Sequence, residues 1–148
     1  MYFVNREEIE NLLTYMEELI PELQQAKRDT ITQRLALERA THMAIEVIID
    51  TGNKMIDGFI MRDPGSYHDI IDILTDEQVL PEEEEASYKR IIDLRKAVVR
   101  EYTAVSHETL MEEWNACLAS LEMFPERIRH YLNAELGTVS AFTKGSGE

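Results

Sequence analysis

Cysteine is nearly missing from this chain. Cys117 is the single one, so no internal disulfide can form, and the fold has to be held by burial alone. Aromatic residues make up only 7%, and there are 6 glycines and 4 prolines, which leaves a composition rich in Leu, Ile, Glu, Ala and Met, the good helix formers. No segment alternates at period two, no internal repeat is present, and no Gly-rich phosphate loop follows a strand, because no strand is expected. Basic charge is also short, with 15 Lys+Arg against 29 Asp+Glu and a net charge of −14. Such a surface repels phosphate backbones, so any nucleic-acid site must be a local basic pocket.

No apolar run approaches the roughly 20 residues that span a bilayer. The start MYFVNREEIE has neither the basic region nor the apolar stretch of a secretory signal, and a soluble, cytoplasmic protein with no membrane partner is expected. The histidines at 42, 68, 107 and 130 are scattered, without HExxH or the Glu-x-x-His spacing of di-iron bundles, so neither a metal nor another cofactor is expected. Cys117 and Trp114 fall on an apolar helical stripe and read as core, the cysteine as a buried thiol and not a nucleophile.

What is present is helical periodicity. Its 148 residues suit one domain that buries roughly 68–70% of its unfolded surface. Asn5 caps a first helix with Ile9, Leu12, Leu13, Met16, Leu19 and Ile20 on one face, which Pro21 ends or kinks. A long helix from about Thr32 to Met61 follows, stopped by RDPGS. Ser66 opens a short helix, Thr75 and Pro81 mark further starts, and Glu82 to Glu85 form a solvated helix beginning. That fourth helix runs to about Tyr102, and Ser106 caps a last one that Pro125 bends. The expectation is an all-α, up-and-down bundle of about five helices over residues 1–140, with a flexible tail over 141–148.

Two stretches rise above this background. On the long helix, Arg39, His42, Glu46, Asp50, Asn53 and Asp57 fall within an arc of roughly 80°, a narrow polar stripe on a helix that is otherwise apolar. Gly52, a poor helix former placed mid-helix, suits the close approach of another helix. His42 and Glu46 at i, i+4 read as an ordinary surface contact and not as half a metal site.

The second stretch is RKAVVREY, residues 95–102. Its plain reading is a basic helix C-terminus that complements the macrodipole. Arg95 and Tyr102 share a face, whereas Arg100 lies roughly 140° round a regular helix from Arg95. The three meet only through long side chains, an irregular helix end or a partner subunit.

The order of ALERATHMAIEVIIDTGNKMI, RDPGSYHDIIDIL and an Arg-centred motif closing a helix resembles the HepT-like proteins of the HEPN superfamily, from the first helix to about Tyr131. The resemblance implies an all-helical homodimer, a metal-independent ribonuclease toxin and a minimal nucleotidyltransferase antitoxin as partner. The family motif is Arg, four to six residues, His, one residue, Tyr, often with Asn after the Arg. Here Arg95 and Tyr102 match, Lys96 stands for the asparagine and Arg100 for the histidine. The resemblance makes Arg95, Arg100 and Tyr102 the catalytic candidates, completed by Asp50 or Asn53 of the long helix. Arg95, Lys96 and Arg100 would bind RNA phosphates, and Tyr102 would be the residue the antitoxin modifies.

Arg100 is a chemical departure. Metal-free RNA cleavage needs a group that takes the proton of the attacking 2′-OH, which histidine does well near neutral pH. A charged guanidinium has no lone pair to offer, so Arg100 keeps phosphate-binding charge but cannot be the base. Asp50, Glu46 and His42 on the stripe are the candidate replacements, ahead of His107. The other expectation is a non-catalytic helical protein that works through contact with a nucleotidyltransferase and is nucleotidylated at Tyr102.

Overall fold

In the computed structural model, which describes residues 2–137, five α-helices follow one another: α1 (Arg6–Gln24), α2 (Ile31–Gly58), α3 (Tyr67–Asp76), α4 (Glu85–Asp93) and α5 (His107–Leu136). No strand occurs among the described residues. The all-α bundle read from periodicity is what forms, and the expected tail over 141–148 lies outside the described residues.

Each helix start has a local cause. The Asn5 side chain accepts the Glu8 N–H, and Thr30 and Gln33 make a reciprocal capping box at α2. Ser66 accepts the Asp69 N–H at 3.1 Å and Ser106 the Thr109 N–H at 3.2 Å. Pro21 and Pro125 both lie inside their helices, so Pro21 does not terminate α1. Thr75 starts nothing either: α3 runs through it because Ile70, Ile71, Ile73 and Leu74 continue one buried face.

α2 is the centre of the molecule, packed by α1, α3 and α5. Ala44, Ile45, Val47, Ile48, Ile49, Met55 and Ile56 are all buried, and Trp114 of α5 donates its indole N–H to Thr41 at 2.9 Å. The long helix ends at Gly58, three residues short of the expected limit, because the chain turns at Ile60, which adopts φ 58°. The acidic run 82–85 is only partly solvated. Glu84 is 9% exposed and accepts from Tyr88 Oη at 2.9 Å and Arg127 Nη2 at 2.6 Å, which satisfies its buried charge.

The close approach expected at Gly52 is real. A Cβ there would collide with Ile70 Cγ2 of α3 and touch Leu74 Cδ1 at 3.5 Å. Ile70 is β-branched and has little rotamer freedom with which to yield. Gly52→Ala should therefore lower stability by about 1 kcal/mol, since overpacking of about 1–3 kcal/mol exceeds a helix-propensity gain of at most about 1. Urea unfolding reads this directly, and an unchanged or raised midpoint would show that α3 is not pressed onto α2 here.

Candidate functional site

The fourth helix does not run regularly to Tyr102. It leaves α geometry after Asp93, and Lys96–Arg100 form a single π turn closed by the Glu101 N–H to the Lys96 carbonyl at 3.0 Å. A π turn takes nearly one more residue per turn, so positions five apart approach the same side, and such turns recur at functional sites. Arg95 and Arg100, on different faces of a regular helix, here line one groove of about 680 Å³ with Lys96, Ser66, Tyr67, His68, Ile92 and Asp93.

Arg95 is fixed from two directions. Its Nε donates to Glu46 Oε2 of α2 at 2.8 Å, and its guanidinium carbon stands 5.1 Å from the Tyr67 ring centre, a cation–π distance. Because Glu46 takes Nε, both Nη groups are without a hydrogen-bond partner among the described residues and keep the fork that matches a phosphate. Hydrogen bonding to Glu46 raises the Arg95 pKa further above its already high value. Lys96 is exposed and 3.7 Å from Glu101.

The polar stripe of α2 divides. Glu46 reaches the groove through Arg95, and His42 Nε2 sits 3.7 Å from Glu46 as the expected i, i+4 contact. Asp50, one turn on, has its carboxyl pushed up, first by burial and then by the charge of Glu46, with Lys54 opposing. Asn53 lines a neighbouring recess with Ser66, Tyr67 and Ile70. Neither Asp50 nor Asn53 lines the arginine groove. Tyr102 lies beyond the π turn, 65% exposed, and does not line it either. His107 is occupied with Glu38 at 2.6 Å and ties α5 to α2.

Cys117 is buried with its thiol pKa pushed up by desolvation, which agrees with an inert core residue. Among the described residues no three His, Cys, Asp or Glu side chains converge as a metal set. No described helix is long and apolar enough to cross a membrane.

Sequence reasoning missed three groove residues, Tyr67 and the pair His68–Asp93, whose Nε2 and Oδ1 lie 2.7 Å apart. The only local signal was their place just after the Ser66 cap and just before Arg95. Their partners come from other helices, which spacing cannot show.

A bundle of this kind, with a long central α2 and arginines at the end of α4, has the fold of HEPN toxins. A tri-AMPylated Shewanella oneidensis HEPN toxin in complex with MNT antitoxin superposes with a TM-score of 0.73 at 19% identity, covering 82% of this chain and 96% of that one. Within that fold the chain belongs to the HepT-like ribonuclease family, whose description, Ribonuclease HepT-like, matches residues 7–128. It is similar to the Bacillus subtilis (strain 168) protein named Putative RNase YutE, 48% identical over 144 residues, 96% of this chain and 99% of that one. The structure of YutE from Bacillus subtilis, described as a cytosolic protein of unknown function, superposes with a TM-score of 0.91 at 46% identity over 95% of this chain and 99% of that one.

The loop that leads into Tyr67 and His68 is pinned by Asp69. Its carboxylate accepts Arg62 Nη1 at 2.8 Å, Arg62 Nη2 at 2.9 Å and the Gly65 N–H at 2.8 Å, and the Arg62 bonds, then the Gly65 bond, hold its pKa down at about 2. The folded pKa lies below the unfolded value, so the loop's stabilisation is fully present above roughly pH 4 and is lost as pH falls through about 2. A carboxyl-carbon NMR titration should place Asp69 near pH 2 in the wild type and clearly higher in Arg62→Ala. Equal titration in both would remove Arg62 as the cause.

Proposed function

We propose that this protein is the toxin component of a toxin–antitoxin system, a homodimer that cleaves RNA without a metal ion at the Arg95–Arg100 groove. A minimal nucleotidyltransferase is its antitoxin. The carrying observation is that the π turn brings Arg95, Lys96 and Arg100 to one groove in a chain whose net charge is −14. Family membership supports the ribonuclease reading, as does the RNase in the name of the Bacillus relative. The antitoxin reading rests on the Shewanella neighbour, a toxin in complex with an MNT antitoxin.

The chemistry divides between positioning and proton transfer. The Nη groups of Arg95 face charge that grows on the non-bridging oxygens as phosphorus becomes five-coordinate, and Arg100 and Lys96 hold the chain on either side. A cytoplasmic location follows from such a substrate. The apolar faces of α2 are covered by α1, α3 and α5, so they do not call for a second subunit. The dimer reading rests on Ile31 and Leu35, exposed on the same side of α2 as the polar stripe.

Purified protein should cut single-stranded RNA in the presence of a chelator, and Arg95→Ala should slow cutting by roughly 10²–10³-fold. Unchanged cutting in that variant would point to a contaminant and end the proposal. Arg100→Ala should weaken RNA binding and reduce the slope of log affinity against log salt by about 0.7, one phosphate contact on a single strand. An unchanged slope would remove Arg100 from the binding surface.

A second reading has its own observation. Tyr102 is 65% exposed, a phenol free to meet another protein's active site. On this reading the chain is a non-catalytic interaction protein, nucleotidylated when the Tyr102 oxygen attacks the α-phosphate of ATP and pyrophosphate leaves. Intact mass after incubation with the partner nucleotidyltransferase and ATP should rise by whole AMP units in the wild type and stay constant in Tyr102→Phe. The same gain in both would exclude Tyr102 as acceptor.

A further inference from the structure

The groove that holds Arg95 and Arg100 also holds an imidazole paired with a carboxylate. His68 Nε2, on the first turn of α3, lies 2.7 Å from Asp93 Oδ1, at the last residue of α4. Both line the groove together with Arg95, Lys96 and Arg100. We infer that His68, oriented by Asp93, is the general base of the RNA cleavage proposed above, in place of the histidine that Arg100 has displaced. This rests on that reading of the groove.

The hydrogen-bond inventory fixes the direction of the pair. An ionised carboxylate only accepts, so Nε2 carries the proton and donates to Asp93. The lone pair of a neutral ring is then on Nδ1, which has no hydrogen-bond partner among the described residues. With 44% of the His68 side chain and 64% of the Asp93 side chain exposed, substrate has access to the ring. His42 stands 3.7 Å from Glu46 and does not line the groove, Glu46 is held by Arg95, and His107 is paired with Glu38. Asp50 has a raised pKa but does not line the groove. Of the candidate bases, His68 alone shares the groove with the phosphate-binding arginines.

In the reaction Nδ1 takes the proton of the 2′-OH, and the 2′-oxygen forms its bond to phosphorus. The P–O5′ bond breaks with its electron pair on the 5′-oxygen, which takes a proton from water. The products are a 2′,3′-cyclic phosphate and a 5′-hydroxyl, and the imidazolium returns its proton to solvent. Arg95 and Arg100 stay charged throughout, as their role requires.

Asp93 is a positioning residue that acts through His68. The charged groups around the ring are Asp93 from α4, Arg95, Lys96 and Arg100 from the chain that follows it, and, along α3, Asp72 with its partner Lys89 of α4. None of the others bonds the ring.

The test is a chelator-treated RNA-cleavage assay across pH 5 to 9, with RNA binding measured alongside. His68→Ala should lose roughly 10²–10⁴-fold in rate, the usual share of general base catalysis, bind RNA within a few-fold of wild type, and regain part of its rate with added imidazole. The wild-type rate should rise with pH through a single ionisation that is missing in His68→Ala. Asp93→Asn should lower the rate and shift that ionisation, and Asp93→Glu should restore both in part. His130→Ala, on the far end of α5, serves as the unchanged control. If the wild type cleaves and Arg95→Ala is inactive while His68→Ala retains the wild-type rate and pH profile, the base is elsewhere and this inference falls with the groove reading intact. Loss in His68→Ala without imidazole rescue, together with lost RNA binding, would make the pair a structural link between α3 and α4. No cleavage by the wild type would overturn the groove reading and this inference with it.

Discussion

The absence of a side chain at Gly52 decides where α3 can lie. Ile70 occupies the place a Cβ would need, so α3 sits closer to α2 than two ordinary helix faces allow, and Leu74 follows it into contact. From that anchor the N-terminal turn of α3 projects Tyr67 and His68 to the end of α4, where Tyr67 lies against Arg95. The Arg62–Asp69 bonds hold the loop before α3 at its other end. A glycine that costs helix propensity is thus the condition for a groove that forms two turns away, an instance of a local rule broken where a site is built.

Electrostatics in the groove is a compromise between holding an arginine and leaving it able to hold something else. Glu46 fixes Arg95 through Nε, which costs part of its field toward a phosphate but leaves both Nη groups without a partner among the described residues. A monodentate bond through Nε does less harm to that fork than a bidentate pair, such as Arg90 makes with Glu113 on the surface of α4 and α5. With a net charge of −14 the groove's positive charge is local, so on the proposed function long-range attraction to RNA is absent and contact must carry the affinity.

The fold was legible because its signals are local. Caps at Asn5, Ser66 and Ser106, and apolar spacing on α1, α2 and α5, act within a turn or two of the chain, and each appeared where expected. Gly52 was legible too, since an unexplained glycine mid-helix asks for a neighbour. Arg95 and Arg100 were legible as residue types, but the irregular helix end that joins them stood as one of three alternatives, because nothing within a turn of the chain selects a π turn over the others. Asp93 and His68 were invisible as a pair: 25 residues separate them, and only the packing of α3 on α4 brings the imidazole to the carboxylate. Glu84 shows the same limit in the core, where Arg127, 43 residues away, turns an apparently solvated acid into a buried one.

The π turn explains how position 100 can carry an arginine, where the family motif leads one to expect histidine, without dismantling the groove. An inserted residue in a helix weakens local hydrogen bonding and persists only when surrounding contacts hold it. Here those contacts are made by Arg95 with Glu46 and Tyr67, and by Leu94 in the core, none of which involves the side chain at position 100. Arg100 is exposed, so the backbone is indifferent to what it carries. The position is consequently free to trade proton transfer for charge, provided the proton acceptor is supplied from another element that the same packing holds at the groove. On the proposed reading α3 is that element, fixed by Gly52 on one face and by Lys89 of α4, which meets Asp72 at 2.6 Å, on the other.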